Sequence, residues 1–142
     1  MTYATLAHLT DRYGAETIER LTDRADPPAG AIDEDVVDRA LADTDGVIDG
    51  YLRARYVTPL AEVPPQITDI ALALAIYKLH RWEPDPKIRR DHEDALRSLR
   101  EIASGTIRLT AVTLAPAETG GTGAMVTDRE RPFTADNLKG FI

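Results

Sequence analysis

The sequence predicts a mainly α protein: a compact bundle of about five helices over residues 1–105, followed by an extended C-terminal arm, 106–142, containing a short β-strand. Three observations predict it. Apolar residues recur at helical spacing in four separate stretches before Gly105, and a fifth stretch is apolar nearly all round. Gly and Pro punctuate those stretches where helices stop and start. After Gly105 the pattern switches to alternation and then to a Gly/Thr/Ala spacer.

Thr5 can cap a short helix carrying Leu6, Leu9 and Tyr13, which Gly14 stops. A second short helix fits "AETIERLTDR", with Ile18 and Leu21 inward, and "ADPPAGA" is then a loop. Asp33 is a good N-cap, and Glu34 and Asp35 suit the positive end of a helix dipole. Val37, Leu41, Ile48 and Leu52 follow at helical spacing, which predicts one helix from Asp33 to about Arg55. Gly46 and Gly50 fall inside it. Each costs roughly 1 kcal/mol relative to Ala, and sharing one face they suggest tight packing within the chain.

"YVTPLAEVPP" is a connector, and Pro65 suits a first helical turn because its missing N–H would have no partner there. From Gln66 to Trp82 the chain is apolar nearly all round. A helix of that kind has to be surrounded, so it is expected at the centre, with room for contact with another subunit as well. Asp85 and Pro86 open the last helix, whose stripe is Ile88, His92, Ala95, Leu96, Leu99, Ile102 and Ala103; Gly105 ends it. "TIRLTAVTL" then alternates Ile107, Leu109 and Ala111 against Thr106, Arg108 and Thr110, a strand signal.

Charge is divided unevenly. The formal net charge is −7, and residues 106–142 hold four basic and four acidic groups, so the helical body carries all of it. Proteins that wrap nucleic acid present positive potential; an acidic surface instead lets DNA slide past. The absence of cysteine excludes disulfides and thiolate metal sites and fits a cytosolic setting. "MTYATLAHLTDRYG" lacks the pattern of a signal peptide. "IALALAIY" is too short to span a bilayer, so no membrane is expected.

No catalytic constellation emerges, and neither a cofactor nor a metal is expected. His8, His80 and His92 fall on three different predicted helices without paired-ligand spacing. "DTDGVIDG" lacks the further oxygen ligands of a calcium loop, with Val47 at one such position. "GGTGA" lacks the Lys-Ser/Thr of a phosphate loop. The carboxylates of "DHEDALRSLRE" fall on a solvated face and pair with Arg at i+3 and i+4. A small metal-dependent hydrolase or nuclease using the carboxylate-rich helix around Asp91, Glu93 and Asp94 is the enzymatic alternative.

The arm has too few large apolar side chains to offset the entropy of ordering its backbone alone. It is therefore expected to take its shape from another surface. Phe133 and Phe141 are the only phenylalanines in the chain. Beyond a spacer that supplies reach, Phe133, Leu138, Phe141 and Ile142 read as anchors, with Arg131 and Lys139 as rim contacts. Ile107 and Leu109 read as a strand that could join a partner's sheet.

Several stretches together resemble one family: "YATLAHLTDRYG", "IERLTDR", "AIDEDVVDRALADTDGVIDGYLRARY", "PLAEVPP", "HEDALRSLREIASGTIRL" and the closing "RPFTADNLKGFI". It is the Mu-type phage and prophage head–tail adaptor family, and "DGYLRARYVTPLAEVPP" is the most specific match. The chain departs from the family at His92, where relatives tend to carry an aromatic residue. The resemblance implies a non-enzymatic virion protein of the phage neck, assembled in the host cytoplasm. It implies a ring, a dodecamer of adaptor subunits, seated under the portal protein. Such a ring extends the DNA channel without specific DNA binding and docks the next neck or tail protein. The competing reading is a soluble regulatory module that captures a host protein through the same tail.

Overall fold

The computed structural model describes residues 2–110 and 112–115. Five helices follow in order: α1 (Leu6–Tyr13), α2 (Ala15–Thr22), α3 (Glu34–Leu52), α4 (Pro65–Leu79) and α5 (Pro86–Ser104). The mainly helical class and the number of helices are those the sequence predicts.

Local chemistry accounts for most of the boundaries. Thr5 and His8 form a reciprocal cap at the start of α1. The Thr5 hydroxyl accepts from the His8 amide at 3.3 Å, and the Thr5 amide donates to His8 Nδ1 at 3.2 Å. Asp33 caps α3 through the amides of Asp35 and Val36. Pro65 and Pro86 occupy first turns. Gly105 closes α5 in the left-handed region, φ +84°. A Cβ there would lie 2.4 Å from the guanidinium carbon of Arg55, so any other residue would strain the backbone and oblige the end of the Arg55 side chain to move. Arg55 thereby rests its cation against the C-terminal end of α5, the favourable end of the dipole.

Three ends differ from expectation. α2 stops at Thr22 instead of Arg24, because the Asp23 carboxylate accepts from the amides of Ala29 and Gly30, 3.1 and 2.8 Å away. α3 stops at Leu52 instead of Arg55, in a turn closed by the Leu52 carbonyl. α4 stops at Leu79 instead of Trp82: His80 is extended, and its ring nitrogen lies 2.7 Å from the Ile76 carbonyl oxygen. That contact occupies a carbonyl at the helix end that has no partner within the helix.

The central placement of α4 follows from its composition. Ile67, Ile70, Ala71, Leu72, Leu74, Ala75, Ile76 and Leu79 are all buried. They pack against α3 on one side, α5 on another and α1 on a third. Leu9, Ile18 and Leu21 close the core from α1 and α2. Two buried threonines stay satisfied. Thr44 donates to the Ala40 carbonyl, and Thr22 donates to Ile18 while accepting from the Asp33 amide at 3.1 Å, linking the end of α2 to the cap of α3.

Gly46 and Gly50 correct an expectation. Both are exposed, and a Cβ at either would meet nothing within 4 Å. Among the described residues nothing packs closely on them, because the core-facing stripe of α3 is formed by Val37, Leu41, Ile48 and Leu52.

Candidate interaction surface

Two tyrosines organise the loops around the helices. The buried Tyr3 donates its hydroxyl to the Asp49 carboxylate, its own amide donates to Asp45 at 3.0 Å, and its oxygen accepts from the Leu60 amide at 3.0 Å. Asp45 and Asp49 are four apart and so project from one face of α3. Burial, followed by the bond to Asp49, holds the Tyr3 hydroxyl well above the ordinary tyrosine range. Burial also raises the Asp45 carboxyl. Two of the carboxylates in "DTDGVIDG" are thus engaged by the N-terminal segment, within a continuous helix that has no calcium-loop geometry.

Tyr56 does the same for the root of the arm: its hydroxyl accepts from the Leu109 amide at 3.0 Å. The chain then pairs with the connector through one antiparallel bridge, Tyr56 with Leu114. Val57 donates to the Thr113 carbonyl at 3.0 Å, and Ala115 donates to the Arg55 carbonyl at 2.9 Å. Among the described residues this bridge is the extent of β pairing. Leu109, expected to face a partner, is instead 7% exposed and lies in the core of its own chain. Ile107 is half-buried against that same core. The rest of the expected docking set, Arg131, Phe133, Leu138, Lys139, Phe141 and Ile142, lies outside the described residues.

Five of the residues considered for chemistry, His8, His80, His92, Asp91 and Asp94, make local contacts. His8 completes a cap, and His80 ends α4 with Trp82 edge-on at 6.2 Å. His92 stacks on Tyr77 at 3.9 Å, 18° from parallel, so it serves as a flat ring between α5 and α4. Burial, and then the nearby Lys78 cation, hold the His92 imidazole below its ordinary value. Asp91 pairs with Lys87 at 2.6 Å and Asp94 with Arg97 at 3.1 Å. Among the described residues, no three His, Asp or Glu side chains converge as a metal site would require. No helix there is long and apolar enough to cross a membrane.

A groove of about 700 Å³ runs between α4 and α5 and reaches the end of α1. Its floor includes Ile70, Ala73, Ile88 and Ala95. Its rim carries Asp69, Asp85, Asp91 and Asp94 against Arg12 and Lys87. Arg12 and Asp69 bridge one wall at 2.5 Å. Beyond Asp69, Ile70 and Ser98, which line both parts, the groove continues for about 230 Å³ to Ile102 and Ile107. Sequence reasoning missed this surface. Its signal was a helix with no polar side, against which α5 packs.

Comparison with known proteins places these features in context. The family model for bacteriophage Mu Gp36 matches residues 3–128. The Mu-like prophage FluMu protein gp36 of Haemophilus influenzae is 33% identical over 140 residues, covering 99% of this chain and 98% of its own length. Gene product J of Escherichia phage Mu is 31% identical over 142 residues, covering both chains completely.

Proposed function

Because this chain belongs to the bacteriophage Mu Gp36 family, we propose that it is a structural protein of a tailed phage or prophage particle, acting as a head–tail adaptor without catalysis. Copies form a ring beneath the portal protein. The ring lengthens the DNA channel and offers a face to the next neck or tail component. The observation that carries this reading is the division of the molecule. The helical body holds the entire −7 charge, and the sequence after it is neutral and carries two aromatics. An acidic body suits a conduit for DNA, because like charge keeps the polyanion from adhering. A tail that gains order from a foreign surface suits a part that joins others during assembly.

Deleting residues 131–142 is expected to leave the helical body folded and to yield particles whose necks do not assemble. Composition of purified particles and electron microscopy read the outcome. Fully infectious particles from the truncated gene would remove the tail from the mechanism. Absence of the protein from wild-type particles would reject the adaptor reading in favour of a regulator acting in the host cell.

A further inference from the structure

We propose that a shallow cup, where α3 meets the ends of α2 and α4, is a binding site for one oxyanion, a carboxylate or phosphate group, gripped by Arg24, Arg39 and Lys78. Such a site is independent of the place of the chain in a particle. The cup holds about 150 Å³, room for a single oxyanion with part of its water. Three elements supply it. Arg24 follows α2, Arg39 and Asp43 lie on α3, and Lys78 and Leu79 end α4.

Charge at this spot runs against the rest of the molecule. Residues 1–105 hold thirteen basic and twenty acidic groups. The cup gathers three of those cations and one carboxylate, Asp43, a net of +2. The C-terminal end of α4 offsets only about half a charge. All three cations are exposed. Among the described residues the cations in ion pairs are Arg12, Lys87, Arg89 and Arg97, and none of these lines the cup.

Two of the three are nevertheless held in place. Arg39 Nε donates to the Asp35 carbonyl at 3.1 Å, and a terminal nitrogen of Arg24 reaches the Leu79 carbonyl at 3.5 Å. Both acceptors are main-chain oxygens without formal charge. They orient each guanidinium, leave its charge uncancelled and leave its other N–H groups for a ligand. A guanidinium fork matches the paired oxygens of a carboxylate or phosphate, and lysine adds a compact point charge.

The flanks of the cup limit the ligand to a single group. Asp35 and Asp43 stand four residues on either side of Arg39, with Asp38 beside it, and all three are exposed. A duplex carries one charge per roughly 1.7 Å of its axis. Laid over the cup, it would bring further phosphates onto those carboxylates, whereas an isolated oxyanion needs only the cup.

The test is NMR titration of the full-length protein at constant ionic strength, with inorganic phosphate in one arm and a blocked tetraglutamate peptide in the other. The expected result is saturable shifts at the Arg24 and Arg39 Nε–H and Leu79 amide signals. Arg39→Gln and Lys78→Gln should each weaken binding about tenfold, the scale of one charge-assisted hydrogen bond. Arg90→Gln, which removes the same charge from an exposed position on α5, should leave it unchanged. The tighter of the two probes identifies the source, a free anion or the side chain of an acidic protein. Shifts that fail to saturate, or that spread over exposed cations generally, overturn the proposal. So does equal weakening by Arg90→Gln, or a short DNA duplex that binds the same residues more tightly than either probe.

Discussion

The helices α3 and α5 are each nineteen residues long and flank the same central helix, yet they are secured differently. On its outer side α3 depends on distant chain. Its Asp45 and Asp49 hold Tyr3, which in turn holds Leu60, and Thr22 reaches its cap from α2. α5 depends on its own neighbours: Lys87 with Asp91, Arg97 with Asp94, and Arg89 with Glu83 just before the helix. The difference shows that equal length does not imply equal autonomy. α3 is a node for long-range contacts, whereas α5 presents solvated charge on one side and the apolar groove on another.

Substitutions sharpen this contrast. On the inner faces the two helices should behave alike. Ile48→Ala in α3 and Leu99→Ala in α5 both remove fully buried side chains, and each is expected to cost about 2–5 kcal/mol in denaturant unfolding. A large disparity would break the premise that both share one core. On the outer faces they should diverge. Tyr3→Phe leaves the Leu60 amide and Asp49 without their shared partner, at an expected cost of about 1–3 kcal/mol. Amide exchange should quicken at Leu60.

Gly46→Ala has the opposite sign. With open space around the position and helical backbone, it should stabilise by up to about 1 kcal/mol. Destabilisation in assembled particles alone, with the free protein stabilised, would reveal a neighbour at that face.

Smaller effects are expected on α5. The His92 imidazole titrates lower in the folded chain than in the unfolded one. Between those two values the unfolded state binds more protons, so stability rises with pH across that window and is lost as pH falls below the ordinary histidine value. His92→Phe keeps a flat ring on Tyr77 and should flatten that portion of the stability–pH curve. At the end of the scale, Lys87→Ala removes an exposed i,i+4 pair, and a loss of no more than about 0.5 kcal/mol, further reduced by salt, is expected.

Legibility in the sequence follows the range of the interaction. The five helices, the Thr5 and Asp33 caps and the Gly105 stop were readable because their causes lie within a few residues of one another. The helix ends at Thr22 and Leu79 were misjudged because single side chains, Asp23 and His80, divert the backbone by a contact that composition does not reveal. The Tyr3 link was invisible for a different reason: two aspartates four apart on a helix look like a solvated face until an aromatic from forty-odd residues away is placed on them. Leu109 was assigned to a partner because alternation identifies an apolar side without saying whose core receives it. Of the candidate surface, the all-apolar character of α4 was plain, and the groove beside it was not.

The Tyr56–Leu114 bridge and the buried Leu109 fasten residues 109–115 to the body at two points. The place of Ala115 is therefore fixed, beside the crossing of Arg55 and Gly105. In any symmetric array of copies, that anchorage would recur once per subunit at an equivalent spot.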